Sequence, residues 1–480
     1  MRRLFLLVCI AMGLCSPLRA QSFTAAEIAQ VDRIAAEALA DSGVPSVSIA
    51  VVRNGQIAFA RAYGRRSLTD DALASPDTRY LIGSISKQFT AGAVLILAQD
   101  GRLSLDDKLG RFLPETTAAD RITLRQALSH TAGYRSYFTL DTTPLEGRSP
   151  VAPREIAERW GRAPLDFQPG EHWDYSSTGY TLAGLVVEQV AGEALADVLR
   201  QRVFAPLGMT SADDVDRRGL TTTDAQGYSR YALGPPRPAR PIGVGWLFAA
   251  GGLAMTATDL ARWDIAAINH QLIGPASWAD QQTEVKLTDG SASGYGLGAY
   301  VDQIRGVRRL HHDGSIDGFG AENRIYPDAR AAVVVLTNAD FASIQFSLAD
   351  QLEAMVIEPE APGTRAEAAP RRPSPPAPDP VGVEELVIAK ALYEQVRTGS
   401  LDRTRITPDV SDYFSATVSA DYRASLSTLG DPASFIQVRR DLIGGYRASL
   451  YELTWPDRKL IAILRLDQEG KVASFVIFPA

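Results

Sequence analysis

Residues 358–380, EPEAPGTRAEAAPRRPSPPAPDP, hold eight prolines and, proline aside, no apolar side chain larger than alanine. Proline fixes φ and gives up its backbone N–H, so such a run can neither continue a helix nor join the middle of a sheet. It also has nothing to bury, and it reads as an extended, semi-rigid linker. No single core can pass through it. The chain must therefore fold as two units, a large one over 22–357 and a small one over 381–480, each with its own core.

In the large unit, VSIAVVRNGQIAFARAYG (47–64) predicts two strands joined at Asn54-Gly55, a strong hairpin signal. A helix is expected from Ser84 to Asp100, ended by Gly101. Residues 120–275 read as mostly helical, with loops at HTAGY (130–134) and FQPGEHWDYSSTGY (167–180). RRLHHDG, NRIYP and AAVVVLTNAD then read as three more strands, and a helix over 343–357 closes the unit. Strands near both ends with helices between them predict one sheet assembled from both ends, carrying an inserted helical region across a cleft. The small unit opens with a helical pattern (383–398) and ends in four strand-like runs, FIQVRRDL, YRASLYELTW, KLIAILRLD and KVASFVIF. Helices followed by a meander make a small α+β fold. No internal repeat is evident.

The first twenty residues, MRRLFLLVCIAMGLCSPLRA, read as a secretory signal peptide: Arg2 and Arg3, an apolar run from Leu4 to Leu14, and Ala20 as the cleavage point. That run is too short to span a bilayer, and no other is long enough, so an exported, soluble chain in the periplasm or medium is expected. Both cysteines, Cys9 and Cys15, lie inside it. A mature chain would have no thiol, which excludes disulfides, cysteine nucleophiles and thiolate metal sites. Losing Arg2, Arg3 and Arg19 also takes the formal net charge from −7 to −10, which argues against nucleic acid as a partner.

The stretch LIGSISKQFT (81–90) carries two serines and a lysine. At about 100° per residue, Lys87 lies roughly 60° around a helix from Ser84, while Ser86 lies on another face. Ser84 and Lys87 can share a proton, and Ser84 follows Gly83 at a helix start, where free N–H groups favour negative charge. On its own, the pattern is weak and is more often that of a polar first turn capped by Ser84. The chain also carries YSSTGY (175–180) in a loop opening a helix and HHDGSIDGF (311–319) at the end of a strand.

These three elements resemble those of the penicillin-recognising serine hydrolases: class C β-lactamases, DD-peptidases, D-aminopeptidases and related carboxylesterases. Their pattern is SxxK, Tyr-x-Asn and a Lys-Thr-Gly or His-x-Gly triplet. ITLRQALSHTAGY (122–134), FQPGEHWDY (167–175) and AAGGLAMTATDLARW (249–263) look like the family too, in the family's order. The resemblance implies a β-lactamase/transpeptidase-like fold of mixed α and β, an antiparallel sheet flanked by helices with an all-α subdomain. It implies that Ser84 attacks an acyl carbonyl, that Lys87 is the base or tunes one, and that Tyr175 relays the proton. Whether Lys87 or Tyr175 is the principal base stays open. The N–H groups of Ser84 and Ser315 would form the oxyanion hole, with Ser177, His312 and Gly314 on the substrate and Gly314 allowing close approach.

Two positions depart from that pattern. Ser177 stands where the family usually has Asn, and His312-Asp313-Gly314 replaces Lys-Thr-Gly. A permanent cation and a hydroxyl, which grip the substrate carboxylate in β-lactam specialists, become a titrating imidazole and an anion. Esters or amides lacking a free carboxylate are thus expected to be better substrates than penicillins or cephalosporins. Neighbouring strand residues point to opposite faces, so His311, His312 and Asp313 cannot converge on a metal. With five histidines and no HExxH, neither metal nor cofactor is expected. No G-x-S-x-G elbow occurs, and His130 reads as structural. The small unit looks like a cystatin-like or nuclear-transport-factor-like cone outside the catalytic machinery. The rival from another class is a non-catalytic binding module that keeps the fold. The partners are a small-molecule or peptide substrate, with the oligomeric state open.

Overall fold

In the computed structural model, which describes residues 22–357 and 383–480, Asn54 and Gly55 both take positive φ, 55° and 73°. A tight hairpin matched to strand twist needs that pair of conformations, and they join Ser46–Arg53 to Gln56–Gly64 as expected. The leader (1–20) and the proline-rich linker (358–380) lie outside the described residues.

The hairpin is one end of a six-stranded antiparallel sheet. Its order runs Gln56–Gly64, Ser46–Arg53, Ala331–Thr337, Phe319–Tyr326, Val307–Ile316, Tyr300–Ile304. The two ends of the unit meet in the middle, where Val47 pairs with Thr337 and Val51 with Val333. Both central strands are apolar without alternation because both faces are covered. Val47, Ile49, Val51, Val333 and Val335 pack on helices Ala25–Ser42 and Ile344–Val356. Ala50, Val52, Ala332, Val334 and Leu336 face Ser86–Gln99 and Ala257–Ile268 on the other side. The short strand Tyr300–Ile304 was not expected: YVDQI carries too little apolar pattern to show itself.

The inserted region contains helices Leu124–Leu128, Pro153–Trp160 and Ser177–Ala191. It is less helical than expected, being largely irregular over 208–247, where Pro235, Pro236, Pro238 and Pro241 remove backbone donors. The small unit has the expected helix, Val383–Thr398, then Pro408–Tyr413 and Ala416–Leu426. The meander Ser434–Ile443, Tyr446–Trp455, Arg458–Leu466, Val472–Pro479 follows.

The two units are docked. Ala232 of the large unit is buried in the core of the small one, with Tyr231 and Leu233 against it. Arg237 pairs with Asp421 at 2.8 Å, Arg240 with Asp412 at 2.7 Å, and Arg465 with Asp141 at 2.7 Å.

Candidate active site

Gly83–Ile85 form a 3-10 turn, and the helix proper runs Ser86–Gln99. Ser84 thus projects from a tight turn, with Gly83 at φ 51° making the bend. Lys87, one turn on, places Nζ 3.1 Å from Ser84 Oγ and donates to the Ala250 carbonyl at 2.7 Å. Its ammonium lies 4.8 Å over the Tyr175 ring and 5.5 Å over that of Tyr180. Burial pushes the Lys87 amine down to about 7, against the nearby Asp313 carboxylate, which favours its charge. Ser86 is turned away, its Oγ accepting from the Leu253 N–H at 3.1 Å.

Tyr175 sits just before helix Ser177–Ala191, whose cap is Ser176. Its loop is pinned by His130: the Ser176 N–H donates to His130 Nδ1 at 3.0 Å, and the two rings lie 4.3 Å apart. His130 thus holds the backbone of the tyrosine loop through Nδ1, while its buried Nε2 has no hydrogen-bond partner among the described residues. The Tyr175 hydroxyl is buried close to the Ser84 hydroxyl, without a well-formed hydrogen bond among the described residues. Burial raises it well above the usual phenol range, while the neighbouring Ser84 hydroxyl works the other way. Ser177 borders the cleft, and its N–H donates to Ser136 Oγ at 3.2 Å.

The third element is the end of strand Val307–Ile316. A Cβ at Gly314 would stand 2.0 Å from the Ile82 carbonyl oxygen, so only glycine lets this strand press against the serine turn. A Cβ on Gly83 would in turn lie 3.1 Å from the Ser315 amide nitrogen. The Ser315 backbone therefore runs beside the turn that holds Ser84. His312, expected on the substrate, is buried and does not border the cleft. It is 1% exposed, its Nε2 is 3.0 Å from the Tyr295 hydroxyl, and its Nδ1 is 2.6 Å from the Asp313 carbonyl oxygen. By strand alternation it shares a face with Gly314, and its ring lies 6.0 Å from that of Tyr175. Burial lowers it against the pull of Asp313, leaving a neutral ring at pH 7. Among the described residues no group of His, Cys, Asp and Glu could hold a metal ion.

The family model described as Beta-lactamase matches residues 31–352. The chain belongs to the β-lactamase family of serine hydrolases. It is 28% identical over 288 residues to the putative penicillin-binding protein PbpX of Bacillus subtilis strain 168, covering 60% of this chain and 69% of the relative. It is 27% identical over 320 residues to protein flp of Staphylococcus aureus strain N315, covering 64% of this chain and 62% of that longer relative. Among solved structures, a D-stereospecific amidohydrolase from Streptomyces aligns with TM-score 0.58 and 26% identity, over 68% of this chain and 97% of its own. The octameric penicillin-binding protein homologue from Pyrococcus abyssi aligns over 95% of this chain and 96% of its own, with TM-score 0.60 and 19% identity. That last likeness shows the fold alone, and it extends over the small unit.

In this β-lactamase-family chain, Ser84, Tyr175, Ser177 and Ser315 border one cleft of about 1200 Å³. Lys87, His312 and Gly314 form its buried backing. Three contributors escaped the sequence reading: the Ala250 carbonyl that holds Lys87, Tyr295 that holds His312, and Ser136 that anchors the Ser177 backbone. Ala250 lies inside the family-like AAGGLAM run, which was the available signal. Tyr295, in SGYGLG, gave none.

Proposed function

We propose that this chain is an exported hydrolase that cleaves an ester or amide without a free carboxylate, through an acyl intermediate on Ser84. The observation that carries the reading is the 3.1 Å contact between Lys87 Nζ and Ser84 Oγ, made by an amine whose burial brings it to about 7. Near neutral pH a substantial fraction of Lys87 is neutral and can take the serine proton as Oγ attacks the carbonyl. On this reading Lys87 is the principal base, and Tyr175, held far above that range, stays protonated and relays to the leaving group the proton that Lys87 took from Ser84. The N–H groups of Ser84 and Ser315 would receive the oxyanion. The amide half is supported by the likeness to the Streptomyces amidohydrolase. Export is supported by the leader-like residues 1–20. An intact mass starting at Gln21, for protein recovered outside the cytoplasm, tests it; retention of Met1 contradicts it.

The substrate preference rests on what the cleft lacks. His312 is neutral and turned inward, and the cations bordering the cleft are ion-paired or stacked on an aromatic ring. Arg148 is held by Asp317 at 2.7 Å, Arg240 by Asp412 at 2.7 Å, and Arg230 stacks 4.2 Å over the Phe341 ring. A hydrogen bond to a charged group contributes about 1.5–3 kcal/mol, so one missing contact lowers kcat/KM for a carboxylate substrate by roughly tenfold to a hundredfold. At pH 8, p-nitrophenyl butyrate should be turned over with higher kcat/KM than a chromogenic cephalosporin. The reverse order would overturn the preference.

A further inference from the structure

The small unit presents a second sheet face that its own core does not use. In strand Arg458–Leu466, Leu460, Ala462, Leu464 and Leu466 point into that core, as do Val472, Phe475 and Ile477 of the last strand. Side chains alternate across a strand, so Ile461, Ile463, Val476 and Phe478 point the other way. Ile461 pairs with Phe478 and Ile463 with Val476, which makes the four one contiguous patch. A sheet face turned to water alternates polar with apolar. LIAIL (460–464) does not, and has the composition of a strand covered on both sides. All four are half-buried, and they border the same cleft as Ser84.

Two further observations tie the patch to the catalytic cleft. Arg465, next on that face, makes a two-pronged ion pair with Asp141 at 2.7 Å per contact, and Ser474 donates to the same carboxylate at 2.9 Å. This latch is only 13% and 15% exposed on its arginine and aspartate. Asp141 belongs to a segment of the large unit whose Phe138 and Leu140 also border the cleft. Apolar walls from both units therefore enclose space continuous with the nucleophile.

We propose that Ile461, Ile463, Val476 and Phe478 form a recognition wall for an apolar alkyl or aryl group of the substrate, so that the small unit sets the specificity of the chemistry at Ser84. The inference rests on the hydrolase reading above. The shared chemistry is an apolar substituent, borne by either the acyl half or the leaving half.

The test uses the full chain with Phe478→Ala and Ile463→Ala, and with Phe478→Leu as a milder variant should truncation prevent folding. One series varies the acyl chain (p-nitrophenyl acetate against octanoate), and the other varies the leaving alcohol (methyl against benzyl acetate). Removing apolar contact in a substrate pocket shifts specificity by about tenfold or more. The kcat/KM ratio of large over small substrate should fall by that factor in the truncations and by less in Phe478→Leu. A fall in the first series places the group on the acyl side, and a fall in the second on the leaving side. Both ratios unchanged in folded variants would overturn the proposal, as would a change in association state without a change in either ratio. A wild type not labelled at Ser84 by a fluorophosphonate would sink the hydrolase reading itself; labelling with unchanged ratios sinks the wall alone.

Discussion

Ser84 and Ser86 stand two residues apart in the same turn, yet their surroundings separate them. Ser84 Oγ meets Lys87 Nζ, whereas Ser86 Oγ is buried against the Leu253 N–H. Ser86→Ala should therefore keep activity and lose stability. Leaving a buried N–H without its acceptor costs about 1–3 kcal/mol, read as a lower melting temperature. Loss of turnover in a folded Ser86→Ala would mean that the two serines had been assigned the wrong roles. Lys87 gives a second expectation. Burial brings its amine down to about 7, so below that pH it is protonated and cannot accept the serine proton. kcat/KM should rise about tenfold per pH unit up to that point and level off above it. A profile flat from pH 5 to 9 would remove Lys87 as the base. His312 does not contribute such a limb, because its buried ring is already neutral at pH 7.

At the scale of elements, the strands that were easiest to read are those covered on both faces. Apolar runs such as SIAVV (48–52) and AAVVVL (331–336) have the composition of strands covered on both sides, and Asn54-Gly55 marks its own turn. Helical spacing puts Ser84 and Lys87 on one face, and the family-like elements around them singled the pair out. His312 was not legible. Its neighbourhood, His311-His312-Asp313-Gly314, contains side chains for both faces of a strand, and only the pairing register says which one meets the cleft. Asn323 opposite His312 and Ala321 opposite Gly314 fix that register, and no local pattern announces it. Gly314 itself was legible as a point of close approach; its partner, the Ile82 carbonyl, was not.

At the scale of the whole molecule, the proline-rich stretch suggests two independent units, whereas the structure packs the small unit's sheet along the cleft. The pairs that dock them, such as Arg465–Asp141 and Arg237–Asp421, join residues 324 and 184 positions apart, beyond the reach of any local pattern. The large unit still owns its sheet core, since both of its main apolar clusters are drawn from residues up to Ile357. Residues 22–357 alone should thus fold and hydrolyse a short ester, while Ala232 loses its apolar cover. An insoluble or inactive fragment would show that the small unit completes the catalytic fold. The central claim remains an acyl-enzyme on Ser84, and intact-mass spectrometry of the full chain tests it most directly, after acid quench during turnover of a slow p-nitrophenyl ester. The expected result is a mass increase of one acyl group, mapped by peptide digestion to Ser84 and missing in Ser84→Ala. An acyl group on another residue, or steady turnover by folded Ser84→Ala, would contradict it.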